Sequence, residues 1–312
     1  MTNLIKTTLG SLVEFQRGYD LPKIKIKNGK YPVVSSNGIL GYHNEYKVKG
    51  PGITIGRSGT VGIPQLIEKN FFPHNTSLYI KNFKGNDVKF IFYFLKYLNL
   101  NNKKSGSGVP TMNRNHLHPI SIKAIKNKIK QIEIGNLLYN LDKKIKINKK
   151  INNEIETIIN LIYNYWFIQF DFPDDEGKPY KSSGGKMIFN SKLKMEIPEC
   201  WLDVSLNDVI EGIRTGLNPR SHFKLGEGSN YYITIKSIKN NEITFDKKSD
   251  NISDKSLSII NKRSDLKIGD ILFTSIQPVG ITYLIHEKPK NWNINESVFS
   301  IRANIKKIDS YF

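Results

Sequence analysis

The sequence holds a single cysteine, Cys200, in 312 residues. Neither an internal disulfide nor a thiolate metal site can be built from it, and a reducing compartment, the cytoplasm, is the natural expectation. Acids are scarce: 28 Asp and Glu stand against 47 Lys and Arg, a formal charge of +19. Long apolar runs are also missing. The start, up to Val13, carries a broken apolar run too short for a signal peptide. The most apolar window, 155–172, is interrupted by Glu156, Asn160, Asn164 and Gln169, so no membrane span is assigned. Catalytic signatures are absent as well. The histidines His43, His74, His116, His118, His222 and His286 lack metal-motif neighbours, and the close pair His116 and His118 reads as a loop leading into Pro119. Gly56-Arg-Ser-Gly-Thr-Val-Gly62 lacks the Gly-Lys-Ser/Thr of a phosphate-cradling loop, and Asn218-Pro-Arg220 lacks the aromatic of an amino-methyltransferase motif. Pro173-Asp174 and Glu176-Gly-Lys178 crowd into one turn the groups that a metal-dependent nuclease presents from a sheet. No catalytic residue, metal ligand or cofactor site is assigned.

What is there begins with the cations. A strong positive field attracts phosphate backbones and releases counterions on binding. AT-rich coding would favour Lys, Asn and Ile, but it does not readily explain the shortage of acids. The length is roughly twice the ~150-residue domain norm, so two domains are expected, each able to bury a core.

From Leu4 to about Ile122, apolar pairs such as Pro32-Val-Val34, Ile53-Thr-Ile55 and Leu78-Tyr-Ile80 alternate with Gly-, Asn- and Ser-rich connections, the texture of short strands. The exception is 87–98, where Val88, Ile91, Phe92, Leu95 and Leu98 recur at helical spacing behind Asn86 or Asp87 as a cap. From 127 to 168 a long helical pattern follows without proline. Its apolar positions are Ile134, Leu138, Leu141, Ile145, Ile155, Ile159, Ile162 and Trp166, in steps alternating four and three. Such a repeat over ~40 residues, ~60 Å of helix, is a coiled-coil signature, and its stripe needs a partner helix. Asn148 and Asn152 fall on the stripe, where buried Asn can fix register; equally, the stripe shifts locally to Ile147 and Ile151.

The segment after Asp171-Phe-Pro173 is Gly-, Ser- and Lys-rich and reads as a linker. A second β-rich part begins near Trp201, with strand candidates at 231–235, 242–245, 270–273 and 298–301. It echoes the first. Leu9-Gly-Ser-Leu-Val-Glu-Phe-Gln-Arg-Gly18 lies beside Leu206-Asn-Asp-Val-Ile-Glu-Gly-Ile-Arg-Thr-Gly216, 53–62 beside 271–280, and Asn75-Thr-Ser-Leu-Tyr79 beside Asn295-Glu-Ser-Val-Phe299. Three matches in the same order argue for duplication. On that register the second copy ends before counterparts of the remaining domain and of the long helix.

The loops of both copies carry cations, amides and hydroxyls that can read base edges or hold phosphates. In the first copy these are Ser35, Ser36, Asn37, Arg57, Ser58, His74, Asn75, Ser107, Thr111, Asn113 and Arg114; in the second, Arg214, Thr215, Lys236, Ser275 and Gln277. Arginine suits bidentate contact to guanine and asparagine to adenine. At each position the competing reading is a turn residue, chosen for backbone angles or a local hydrogen bond.

Together the pattern resembles the specificity (S) subunit of type I restriction-modification systems. The residues that carry the resemblance are Trp166-Phe-Ile-Gln-Phe-Asp-Phe-Pro173, Gly177-Lys-Pro-Tyr-Lys-Ser-Ser-Gly-Gly-Lys-Met187, Ile197-Pro-Glu-Cys-Trp201 and Leu206. Tyr31-Pro-Val-Val-Ser-Ser-Asn-Gly38, Ser107-Gly-Val-Pro-Thr-Met-Asn113, Leu141-Asp-Lys-Lys-Ile145 and Gly269-Asp-Ile-Leu272 support it. The usual Glu-Gln near the helix start is replaced by Lys130-Gln131.

The resemblance implies an α+β fold with a first target-recognition domain (1–124), a long conserved spacer helix (125–170), a linker (171–198) and a C-terminally incomplete second target-recognition domain (199–312). It implies double-stranded DNA, modification (methyltransferase) subunits and a restriction subunit as partners, with a second copy or a complementary S fragment joined through the long helix. It implies no catalysis in this chain, so that S-adenosylmethionine, ATP and Mg belong to the partner subunits. An interaction protein that occupies modification subunits without productive bipartite recognition is the alternative.

Overall fold

The computed structural model describes residues 4–102, 111–239, 242–245 and 250–311 and divides the chain into two units, one ending at Tyr163 and the other beginning at Asn164. The division falls inside the segment read as the spacer helix.

In the first unit an antiparallel sheet is ordered Glu14–Arg17, Ser77–Asn82, Gly52–Gly56, Pro64–Ile67. A second sheet is ordered Gly38–His43, Tyr31–Ser35, Phe72–Pro73, the last two strands running parallel. Alternation along the first sheet sends Phe15, Ile53, Ile55, Leu78 and Ile80 to one face. There they meet Phe90, Ile91 and Leu95 of the helix Val88–Leu98 in the main core. Asp87, rather than Asn86, caps that helix by accepting from Phe90 N at 2.9 Å. His118 Nε2 accepts from Phe15 N at 3.0 Å, so the ring must be neutral on that nitrogen. Burial, followed by the charges of Lys84 and Arg114, lowers its pKa from the ordinary 6.5.

The long helix Lys128–Tyr163 starts at Asn127, whose side chain accepts from Lys130 N at 3.0 Å. Gln131, fully buried, fastens it to the unit. Its Oε1 accepts from Asp87 N at 2.9 Å, and its Nε2 donates to Asn86 Oδ1 and to the Ile125 carbonyl, both at 2.7 Å. One turn on, a Cβ at Gly135 would lie 2.7 Å from Phe90 N, so glycine is what lets the two helices meet there. Of the apolar stripe, Ile134 packs on the core and Leu138 is half-buried, whereas Leu141, Ile145, Ile155, Ile159 and Ile162 are exposed. Ile147 turns off the stripe into a groove beside Lys146 and Lys150.

The second unit opens on a π-helical turn, Asn164–Ile168. Trp201 stacks on Phe172 and packs edge-on to Phe170, and Tyr180 also stacks on Phe172. Hydrogen bonds from the Ser182 hydroxyl and amide to Asp171, at 2.6 and 2.7 Å, close the adjoining turn and hold that carboxyl below its ordinary pKa. The segment read as a linker therefore has structure of its own, including the hairpin Met187–Asn190 with Met195–Pro198. Widely spaced aromatic residues organise it, and these leave no periodic signal.

Beyond it, an antiparallel sheet is ordered Ile210–Thr215, Val298–Ala303, Ile271–Thr274, Thr282–Leu284. A second is ordered Asn251–Ile252, Asn230–Ile233, Trp292–Ile294, its last pair parallel. The orders and directions repeat those of the first unit. A helix, Asp254–Ser264, that the sequence pattern does not predict has no counterpart among the described residues of the first unit.

Hydrogen bonds fix the register of the duplication. Gly62 N donates to Gly56 O as Gly280 N does to Thr274 O, both at 3.0 Å; Arg57 N donates to Thr76 O at 2.8 Å as Ser275 N does to Ser297 O at 3.0 Å. A Cβ on Gly18 would collide with the His74 carbonyl, and one on Gly216 with that of Ile294. Arg57 thus corresponds to Ser275, Asn75 to Glu296, and Arg17 to Thr215. Linear alignment, which pairs Arg17 with Arg214 and Asn75 with Asn295, is off by one residue at both places; at the first, Glu211 is an extra residue bulged into Ile210–Thr215, whereas the bulge beside Glu14/Phe15 lies in the partner strand, at Lys81. On the corrected register the fully covered face of the first sheet corresponds to Ile213, Ile271, Phe273, Phe299 and Ile301, all at least partly exposed. Among the described residues the second unit holds no counterpart of the helix Val88–Leu98.

Gln131→Ala strands the Asp87 amide and the Asn86 side chain in the interior, and is expected to lower the unfolding free energy by about 2–4 kcal/mol; exposed Leu141→Ala should change it by less than ~0.5 kcal/mol. Urea unfolding of the two variants checks this. Because the folded pKa of His118 lies below its unfolded value, its contribution is complete above pH 6.5 and declines as pH falls toward the folded pKa. His118→Gln, which keeps an acceptor without titrating, should flatten that acid-side loss in melting temperature.

Candidate nucleic-acid interface

One end of the first unit gathers turns from four parts of the chain. The Arg57 and Ser58 amides both donate to Thr76 O, at 2.8 and 3.2 Å; Met112 N donates to Arg57 O at 2.8 Å, and Ser58 bridges to Thr111. His74 N donates to Val34 O at 2.8 Å, and Gly18 N to Ser77 O at 3.0 Å. These main-chain bonds bring the turns bearing Asn37, Arg57, Ser58, His74, Asn75, Thr111, Asn113 and Arg114 to one end of the unit, where Arg57, Asn113 and Arg114 line an open groove of about 530 Å³. Ser107 lies outside the described residues.

Two candidates are not placed to touch a ligand. Ser35 and Ser36 are only 4% and 7% exposed; Ser35 Oγ donates to Gly38 O at 2.9 Å and accepts from Asn37 N at 3.2 Å. They shape the turn, the role that serine's local hydrogen bonding favours. Asn113 is half committed: its side-chain oxygen accepts from Asn115 N at 3.0 Å to cap the short helix Arg114–Leu117, leaving the amide group. His74 Nδ1 lies 3.1 Å from Thr76 Oγ1.

Sequence reasoning passed over Arg17, Tyr19 and Asp20, which line the same groove. Asp20 Oδ1 accepts from Arg17 Nη2 at 3.2 Å and from the Asn75 side chain. Tyr19 OH meets Tyr79 OH at 3.1 Å, and burial, with that hydrogen bond, raises the Tyr79 pKa and keeps its phenol protonated. Their sequence signal was the Arg-Gly-Tyr-Asp run, visible but not distinctive. The corner thus presents guanidinium, amide and hydroxyl donors around one fixed carboxylate, the chemistry that reads base edges and holds phosphates.

In the second unit, Ser275 takes the place of Arg57 and Oγ donates to Ser297 O at 2.9 Å. Lys236, exposed, follows a strand end where Asn295 N donates to Ile233 O at 2.9 Å as His74 N does to Val34 O, so it stands in Asn37's place. Gln277 is exposed in the turn after Ile271–Thr274. Arg214 corresponds to Gln16 and has one buried guanidinium nitrogen without a hydrogen bond. Thr215 Oγ1 accepts from Arg263 Nη2 at 3.3 Å. Among the described residues no cluster of three or more His, Cys, Asp or Glu could hold a metal ion, and no helix is long and apolar enough to cross a membrane.

Residues 3–157 match the family model for the type I restriction modification DNA specificity domain. The chain belongs to that family through its first half. The fold of the whole chain is similar to that of the type I restriction-modification S subunit from M. genitalium, at 18% identity and a TM-score of 0.56, with 97% of this chain aligned to 73% of that one. The HsdS subunit from Thermoanaerobacter tengcongensis aligns 77% of its length with 99% of this chain at 13% identity and a TM-score of 0.38. Comparison with curated proteins gives no match. The specificity domain is a DNA-recognition module, and its family of specificity subunits is non-catalytic.

For this specificity domain, Arg57→Ala and Arg114→Ala should each weaken duplex binding, and a side chain on phosphate should reduce the slope of log K against log salt by about 1. Ser36→Ala should leave affinity within about twofold, since surface-independent turn positions contribute little directly. Titration by anisotropy at several salt concentrations separates the three.

Proposed function

We propose that this chain is a sequence-specific DNA recognition subunit of a type I restriction-modification complex, each unit reading one half of a bipartite duplex site. Methylation and cleavage are then carried out by modification and restriction subunits, which hold S-adenosylmethionine, ATP and Mg, while this chain contributes binding alone. The observation that carries the reading is the repetition, in both units, of the same sheet orders and the same main-chain hydrogen bonds at corresponding turns, bearing different side chains.

The exposed stripe Leu141, Ile145, Ile155, Ile159 and Ile162 calls for a partner helix. Trp166, borderline exposed at 36%, lies in the π-helical turn. A second copy of the chain or a complementary S fragment meets that need, and a fragment bearing a helix like Val88–Leu98 would also cover Ile213, Phe273 and Phe299. The same open sheet face favours a second reading, an interaction protein that binds the modification subunit without productive bipartite recognition.

Light scattering of the full chain mixed with its modification subunit, followed by selection from random duplex DNA, tests both. A complex that enriches a bipartite sequence is the expected result; a complex that enriches nothing supports the second reading, and no complex at all contradicts both. Ile155→Glu with Ile159→Glu should abolish pairing through the long helix while leaving the melting temperature of the units unchanged.

A further inference from the structure

The corrected register places Arg17, the residue before Gly18, opposite Thr215, the residue before Gly216. At this point the two corners differ in where their cation comes from. In the first unit Arg17 projects from the strand itself, and its guanidinium is held at 3.2 Å by Asp20. In the second unit the strand supplies only a threonine, and a guanidinium arrives from elsewhere: Arg263 Nη2 donates to Thr215 Oγ1 at 3.3 Å.

Arg263 sits in the last turn of Asp254–Ser264, the helix without a counterpart among the described residues of the first unit. That turn is locked in place. Ser264 Oγ donates to Asn293 Oδ1 at 2.8 Å, and Asn293 Nδ2 donates to Asn261 Oδ1 at 2.6 Å, with Ser264 and Asn293 buried. Asn293 lies in the strand Trp292–Ile294 that ends beside Gly216. The helix end that carries Arg263 is thereby fixed beside Thr215.

A carboxylate–amide pair is also exchanged between the units. In the first unit Asp20 accepts from Asn75; in the second, the corresponding residues are Asn218 and Glu296, and Asn218 Nδ2 donates to Glu296 Oε1 at 2.9 Å. Carboxylate and amide have swapped sides. In the first unit Arg17 and the amide share one oxygen of Asp20, so the guanidinium is steered by a carboxylate. In the second, Glu296 is occupied by Asn218 and by the Tyr232 hydroxyl at 3.1 Å, and Arg263 is steered by a neutral hydroxyl.

We propose that Arg17 and Arg263 are equivalent DNA-reading residues, one for each half-site, and that the Asp20 carboxylate beside Arg17 and the Thr215 hydroxyl beside Arg263 aim them differently, so the two units prefer different bases. The inference rests on the proposed bipartite recognition. A helix insertion then serves to restore a guanidinium that the second strand lacks.

The test is selection from random duplex DNA by the full chain with its modification subunit, for wild type, Arg17→Ala, Arg263→Ala, and Arg263→Ala combined with Thr215→Arg. Arg17→Ala should lower discrimination about tenfold at positions within one half-site only, and Arg263→Ala within the other only, as expected for loss of a bidentate base contact. Returning the guanidinium on the strand in the double variant should restore selectivity in the second half, though not necessarily for the same base; a purely structural role for Arg263 would show no such rescue. Variants that enrich the wild-type sequence unchanged, or that lose affinity equally for all sequences, overturn the assignment while leaving bipartite recognition standing. A wild-type chain that enriches nothing removes the proposed function and this assignment together.

Discussion

The buried amide of Gln131 is the interaction on which the arrangement of the first unit depends. It reaches the Asp87 amide, the Asn86 side chain and the Ile125 carbonyl at once, joining the start of the long helix, the start of Val88–Leu98 and the end of the strand Ser121–Ile125. A side chain without matched donor and acceptor would leave polar groups stranded in an interior that penalises them. Gly135 lets the helices approach at the next turn, where a Cβ would lie 2.7 Å from Phe90 N. With the first turns fixed this way, Ile134 and Leu138 are used within the unit, and the apolar stripe beyond them stays available to another helix.

The two units show what such a fold keeps and what it varies. The turn at Gly56 to Gly62 and its partner at Thr274 to Gly280 share their hydrogen bonds, as do the return turns at Thr76 and Ser297. Gly18 and Gly216 each let a strand end pass against a neighbouring carbonyl. Against this constant backbone the side chains change: Arg57 becomes Ser275, Asn37 becomes Lys236, and an acid and an amide trade places. Main-chain bonds do not depend on side-chain identity, so a corner held by them can change what it presents without losing its shape. That separation suits a protein whose task is to distinguish DNA sequences.

Much of this was legible in the sequence, and the misreadings have physical causes. The helix Val88–Leu98 and the long helix announced themselves through apolar spacing. The duplication was visible in three short matches, but its register slipped by one at Arg214 and at Asn295; at Arg214 the cause is Glu211, which bulges into the strand without changing its composition. Ser35 and Ser36 read as reading residues because polarity in a loop says nothing about which way a hydroxyl turns. The helix Asp254–Ser264 escaped notice because its buried side includes Ser256 and Ser264, leaving only Leu257 and Ile260 as apolar contacts. The segment 171–198 passed for a linker because stacked aromatics, not periodic aliphatics, hold it.

Photo-crosslinking tests the central claim most directly. A photoreactive side chain placed in turn at Asn37, Gln277, Lys146 and Lys150 of the full chain, in complex with duplex DNA, should capture DNA from Asn37 and from Gln277, and from different segments of the duplex. Capture only from Lys146 or Lys150 in the groove beside the long helix, with none from either corner, would contradict the account.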